Sequence, residues 1–314
     1  MNPVHSLQGL VEHIGPRLKL RWLTPPPAQS CPLLSEQTGQ TAQSLVGSLN
    51  CIHPNRLQVL GEAEILHLSD LSKPAYDETI ERLFSARPAA VIFASDITPD
   101  PVFFAHAERT GTPLLGSSAR DAEIVDRLQY FLTHALAERT TVHGVLLEVL
   151  GLGVLLTGDA GVGKSELALE MIARGHRLIA DDAPELARIA PEVLEGSCPA
   201  LLRDFLEVRG LGVLNVRAMF GEGAVRQHET VNLIVHMRSF DNEGLASIDR
   251  LRGSLSTRTI LGVAVSEITL PVAPGRNLAV LLETAVRNQI LRIRGYDAGV
   301  DLEDRQARAI ASGR

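Results

Sequence analysis

Apolar positions along this chain follow two periods, and the change from one to the other outlines its elements. AAVIFAS at 89 to 95 is a continuous apolar run of strand length and predicts a buried parallel strand, and LQVLG at 57 to 61 is a shorter run of the same kind. ARDAEIVDRLQYFLTHALAE, 119 to 138, instead places Ile124, Leu128, Phe131, Leu132 and Leu136 at helical spacing and predicts a long amphipathic helix connecting two halves. A further helix is predicted over 76 to 86. The prolines at 25 to 27, followed by a polar stretch to about 43, predict a loop. From 141 the pattern turns to strands: VHGVLLEVLG, a Gly-Leu-Gly turn at 151 to 153, then GVLLTG, which reads as a hairpin running into a glycine-rich loop. The fold class is α/β throughout, with a boundary placed near 135: an N-terminal α/β module over 1–135, of architectural or regulatory use, and a second domain over 136–314 with a central mixed sheet.

Length agrees with two domains, since 314 residues exceed the usual size of one. A composition of 45% hydrophobic, 21% charged and 4% aromatic residues is that of a globular protein. The formal net charge of -7 removes any global attraction for a phosphate backbone, so no nucleic-acid partner is expected. Cys31, Cys51 and Cys198 are odd in number and widely spaced, without a CxxC or Cys/His pairing, which argues against zinc and for a reducing cytoplasm. The N-terminus lacks the order of a secretory signal. The longest apolar stretch, 144 to 157, holds Glu148 and three glycines and is too short to span a bilayer as a helix, so no membrane role is expected.

Lysine is scarce. Of the 30 basic residues only Lys19, Lys73 and Lys164 are lysine, and Lys164 lies in the stretch GDAGVGKS at 158 to 165, which matches G-x-x-x-x-G-K-[ST] in full. The match follows the apolar run Val154 to Thr157 and precedes ELALEMIAR, whose Leu167/Met171 and Ala168/Ile172 pairs suit a helix, so strand, loop and helix come in the required order. Gly158, Gly161 and Gly163 permit backbone conformations that turn successive N–H groups toward phosphate oxygens, with Asp159, Ala160 and Val162 completing the nucleotide-binding loop. The helix N-terminus adds its dipole. Lys164 can reach the β- and γ-phosphates, and the Ser165 hydroxyl can ligate Mg2+. Glu166 and Glu170 read as a solvated helix face with favourable N-terminal charge.

The loop helix is expected to stop at Gly175, and HRLIADD then reads as a short strand ending in Asp181 and Asp182, 16 and 17 residues after Ser165. A strand adjacent to the phosphate strand would bring both acids beside the γ-phosphate. One bound to the cation would stay ionised while the other holds a raised pKa, and one of the two could serve as a general base. The competing reading is a helix start, because DDAPEL resembles an N-cap. Glu207, flanked by Leu206 and Val208 in a strand-like run, reads as a buried carboxylate in need of a partner.

DFLEVRGLGVLNV at 204 to 216, RGHRLIADD at 174 to 182 and the phosphate loop together strongly resemble the HPr kinase/phosphorylase family, whose signature is LEVRGLG. VHGVLLEV at 142 to 149, IDRL at 248 to 251 and PVAPGRNLA at 271 to 279 extend the likeness over 141 to 296, and LVGSLNCIHPNRLQVLGEAE, 45 to 64, carries it into the N-terminal part, where His53 reads as structural. The resemblance implies a P-loop kinase that moves phosphate from ATP, or from pyrophosphate, to a serine of the phosphocarrier HPr. The same site would run phosphorolysis, in which inorganic phosphate attacks the phosphoserine and releases pyrophosphate. It also implies a homohexamer. His143, Lys164, Asp182 and Arg250 resemble the family's active-site residues, with Asp181 as the rival base, and Ser165 and Glu207 its magnesium ligands. Leu206, Glu207, Val208, Arg209, Gly210, Leu211, Gly212, Val213, Leu214 and Asn215 match the segment used in both directions, and Pro271, Val272, Ala273, Pro274, Gly275 and Arg276 the one associated with dephosphorylation. The family often carries a basic residue where this chain has Ala273. Arg250 and Arg276 suit bidentate holding of phosphate oxygens, and His143 suits orienting the transferred group. Two other readings remain open on the residues alone: a small-molecule kinase and a nucleotide-sensing module without transfer.

Overall fold

Alternation along the strands explains the first sheet. In the strand Ala90–Phe93, Ala90 and Ile92 join one apolar cluster while Val91 and Phe93 join another, so both faces of the sheet are buried. A computed structural model describes residues 6–27, 32–33, 45–50, 55–239 and 255–311. The chain divides into two units, Met1–Leu136 and Ala137–Arg314. Among the described residues, the first unit comprises α1 (Leu7–Leu18), β1 (Arg21–Trp22), β2 (Val46–Ser48), β3 (Leu57–Leu60), α2 (Glu62–Ser69), α3 (Lys73–Ser85), β4 (Ala90–Phe93), α4 (Pro101–Thr110), β5 (Leu114–Gly116) and α5 (Asp121–Leu136). The sheet runs β1-β5-β4-β3-β2, parallel except for β1. Leu7, Leu10, Ile124 and Leu128 of α1 and α5 cover one face, and Ile80, Phe84 and Phe103 of α3 and α4 cover the other.

The second unit comprises β6 (Glu138–Thr141), β7 (Val145–Val149), β8 (Leu152–Gly158), α6 (Lys164–Ala173), β9 (Arg177–Ala180), β10 (Glu185–Ala190), β11 (Val193–Ser197), β12 (Phe205–Val208), β13 (Gly212–Asn215), α7 (Val216–Phe220), β14 (His228–Ser239), β15 (Leu255–Ile260), β16 (Val263–Val272), α8 (Leu278–Ile293) and α9 (Ala298–Ala311). The main sheet is mixed: β14 pairs in parallel with β8 and β16, while β7 pairs antiparallel with β8 and β9. The first residues of β14 also pair with β11, which continues through β10 to β6. One face of the main sheet therefore packs against α6 and α8 through Leu167, Met171, Leu282 and Val286, and the other against Leu186 and Leu194 of the β10/β11 layer. Among the described residues no helix is long and apolar enough to cross a membrane.

Three local expectations change. The helix predicted over 76 to 86 starts at Lys73, because Ser72 stands at its N-cap and Pro74 favours its first turn. DDAPEL does not begin a helix: Glu185–Ala190 is a strand, paired on both sides with β6 and β11. The strand that delivers Asp181 and Asp182 pairs with β7 and not with the phosphate strand β8, so the acids reach the loop across one intervening strand.

Candidate active site

The loop after β8 is shaped by a close approach of backbones. At Gly158, φ is 137° and a Cβ would stand 2.2 Å from the Met237 carbonyl of the neighbouring strand β14, so no side chain fits there. Gly163, at φ 98°, is the N-cap of α6, and the first helical residues Lys164 and Ser165 follow directly. The Lys164 ammonium is nearly buried and donates to the carbonyls of Gly158 at 2.9 Å and Asp159 at 3.0 Å, which folds it over the loop. Beneath the loop the Thr157 hydroxyl lies 3.2 Å from His236 Nδ1. Nothing in the sequence pattern singles out that pair.

The helix α6 ends where expected, with Gly175 at φ 94° donating to the Ile172 carbonyl at 2.9 Å. The chain then returns along β9, whose Ala180 lies opposite Leu146 of β7. Beyond it, the Gly144 amide donates to the Asp182 carbonyl at 3.2 Å, which brings His143 alongside. The two aspartates part company here. Asp182 adopts a left-handed φ of 66°, and its Oδ1 lies 3.0 Å from His143 Nδ1, both side chains being well exposed. Asp181 is buried, and its Oδ2 accepts from the Glu207 amide at 2.8 Å. Burial pushes the Asp181 carboxyl above its usual range, while hydrogen bonds from the Glu207 and Asp182 amides pull against that rise.

Glu207 itself corrects an expectation. It lies in the hairpin formed by β12 and β13, where alternation buries Leu206 and Val208 in the core and leaves the Glu207 side chain exposed. The stretch Leu206–Asn215, uniform in the sequence, is thus divided by the hairpin. Glu207 and Arg209 line the cleft, Leu211 and Val213 are open to solvent, and Asn215 caps α7 by accepting from the Ala218 amide at 2.9 Å. Gly210 and Gly212 supply the positive φ values, 87° and 82°, that the turn needs.

A cleft of about 340 Å³ gathers His143, Lys164, Ser165, Asp181, Asp182 and Glu207 with the loop residues Ala160, Gly161 and Gly163 and with Arg209. Pro271 and Val272 end β16, and the turn Ala273–Arg276 does not line that cleft. Gly275 and Arg276 border an adjoining recess of about 490 Å³ on the Glu166/Glu170 side of α6. Glu166 and Glu170 therefore face a cavity, although the sequence reads them as a solvated surface. Arg250, the stretch IDRL, His53, Cys31 and Cys51 lie outside the described residues.

Comparison with known proteins agrees in both units. The family model for the HPr serine kinase N terminus matches residues 6–132, and that for the HPr serine kinase C-terminal domain matches residues 134–306. An HPr kinase/phosphorylase of Xanthomonas axonopodis pv. citri is 45% identical over 298 residues, covering 95% of this chain and 94% of that protein. One of Nitrosomonas europaea is 45% identical over 293 residues, 93% of this chain and 91% of that protein. One of Stenotrophomonas maltophilia is 46% identical over 298 residues, with coverages of 95% and 94%. A solved Hpr(Ser) kinase/phosphatase from Coxiella burnetii is 38% identical, with a TM-score of 0.47, and covers 52% of this chain and 98% of its own. Matched over nearly its whole length by both domain models and by these relatives, the chain belongs to the HPr kinase/phosphorylase family.

Proposed function

We propose that this chain transfers a phosphoryl group from ATP, or from pyrophosphate, to a serine of HPr, and removes it again by phosphorolysis. In the first direction the bond from phosphorus to the donor oxygen breaks, a bond to the serine oxygen forms, and the hydroxyl proton passes to Asp182. In the second, inorganic phosphate attacks the phosphoserine, pyrophosphate leaves, and Asp182 returns the proton to the serine. The observation that carries this reading is the meeting of Lys164, Ser165, Asp182 and Glu207, from three separate segments, in one cleft.

Roles follow from partners. Asp182 is the better base, because it is exposed beside His143, while the carboxyl of Asp181 is engaged by a backbone amide. His143 orients Asp182, and the Lys164 ammonium gathers the donor's phosphate oxygens. Ser165 and Glu207 fit Mg2+, which takes one or two protein ligands and completes its shell with phosphate oxygens and water; no group of three His, Cys, Asp or Glu ligands occurs among the described residues, and none is needed. When bound, Mg2+ neutralises charge on the transferring phosphates. Arg276, in the recess beside the loop, suits the phosphate used in dephosphorylation. Residues 136–314 would then be the catalytic domain, with 1–135 architectural or regulatory, in a cytoplasmic homohexamer whose mass light scattering would measure. Incubation with HPr, Mg2+ and labelled ATP should label a serine, and added phosphate should remove the label with release of pyrophosphate. Absence of serine labelling would overturn the proposal.

A further inference from the structure

The phosphate loop lies between two flanks, and the account above fills only one of them. In the main sheet β9 is separated from β8 by β7, and on the opposite side β16 is separated from β8 by β14. The strands β9, β8 and β16 all run the same way. Asp182 beyond β9, the glycine loop beyond β8 and the turn Ala273–Arg276 beyond β16 therefore share one edge of the sheet, with the loop in the middle. Phosphoryl transfer keeps the attacking and leaving oxygens roughly in line. With the serine oxygen beside Asp182, the leaving oxygen and whatever it carries point across the loop toward the β16 flank.

That flank holds the recess of about 490 Å³, which is continuous with the cleft because Gly163 and Glu166 line both. Its chemistry is not that of a further phosphate site. Glu166 and Glu170 set two carboxylates against one lining guanidinium, Arg276, so an additional anion is repelled. The Glu166 carboxylate has no hydrogen-bond or ion-pair partner among the described residues. Arg174, shared with Glu283, engages only Oε1 of Glu170, at 2.9 and 3.2 Å, and fixes that side chain. Ionised carboxylates only accept, so they suit a neutral ligand that donates from hydroxyls, as a ribose does. Gly163 at φ 98° and Gly275 at φ 79° have nothing within 4 Å of the point a Cβ would occupy. Two bare backbone faces are thus open to a flat ring, with the half-buried Leu278 as the apolar wall.

We propose that this recess is the nucleoside subsite of the donor, in which Glu166 and Glu170 accept from the ribose hydroxyls and the base lies against Gly275 and Leu278. The inference rests on the reading that the cleft transfers phosphate from ATP. It also separates the two donors: the loop amides and Lys164 hold phosphates in either case, ATP fills the recess, and pyrophosphate, having no nucleoside, leaves it empty. The recess then sets preference between donors and takes no part in the transfer itself.

The test uses the full chain with Mg2+ and reads Kd by calorimetry for ATP, for 2′,3′-dideoxy-ATP and for tripolyphosphate, which keeps the phosphates without the nucleoside. The parent should bind ATP about tenfold more tightly than dideoxy-ATP, because the missing hydroxyls leave the carboxylates unpaired. Removing both carboxylates, Glu166→Ala together with Glu170→Ala, should shrink that preference to less than about twofold, since the two partners of one interaction are then deleted together. Both side chains are exposed, so their truncation opens no core cavity; either single variant should keep part of the preference and serves if the double variant folds poorly. Glu170→Trp, which fills the recess, should weaken ATP about tenfold and tripolyphosphate by less than about threefold. A parent that binds dideoxy-ATP as tightly as ATP, or a preference that survives loss of both carboxylates, overturns the ribose contacts. Failure of Glu170→Trp to weaken ATP more than tripolyphosphate overturns the placement of the nucleoside. A parental chain that binds neither ATP nor tripolyphosphate would instead remove the functional reading, and this inference with it.

Discussion

The two units both bury parallel strands, yet they treat the ends of those strands in opposite ways. In the first unit β4 runs into Ala94, Ser95 and Asp96, and these amides are consumed at 2.9 Å by the carbonyls of Leu60, Ala119 and Ser117. The Asp96 carboxylate is taken by Arg21 at 2.7 Å. In the second unit β8 runs into the glycine loop, where the Val162 amide alone, among the described loop residues 159 to 163, has a backbone acceptor, the Asp159 carbonyl at 3.3 Å. A strand end becomes a binding site when its donors are left for a visitor. Positive φ does not decide the matter, since Ser95 and Asp96 both have φ 54° as well.

The sharpest way to break this contrast is at the proposed base, Asp182. Asp182→Asn should lower HPr phosphorylation by up to about 10⁴-fold while ATP binding persists, as measured by initial rates and calorimetry; retained turnover would move the base elsewhere. Lys164→Met should reduce transfer by about 10³-fold and weaken ATP binding as well, because the side chain proposed to gather the phosphates is gone. The first unit should answer in a different currency. Phe84 is fully buried against Phe103, so Phe84→Ala should cost about 3 kcal/mol of stability in denaturant titration and leave kcat per folded molecule unchanged. Smallest of all, Asp100→Ala removes an N-cap that accepts from the Val102 amide at 2.9 Å, and should cost about 1 kcal/mol with no effect on transfer.

Features set by local chemistry were legible in the sequence. The strand, loop and helix around Gly158–Ser165 follow from glycine spacing and an apolar run, and the four-residue burial of β4 follows from its unbroken apolar stretch. The stop at Gly175 needed only a residue tolerant of positive φ. Features set by pairing across the chain were not legible. That Glu185–Ala190 is a strand depends on β6 and β11 at its sides, which outweigh the capping pattern of DDAPEL. The exposure of Glu207 depends on which face of a small hairpin meets the core, and its apolar neighbours look the same in sequence whichever face is buried. The two adjacent aspartates carry identical side chains, and only the turn at Asp182 gives them separate partners.

The strand β14 has a consequence for how the molecule is made. Thr157 beneath the loop bonds to His236, 79 residues further along, and the far edge of β14 is completed only by β16, with Arg238 opposite Pro271. The loop pocket is therefore a high-contact-order assembly, and its glycines emerge from the ribosome well before the strand that braces them. A chain that stops short of β14 carries the entire motif without the backbone against which Gly158 is fitted, so the loop cannot take its native form before that strand is present.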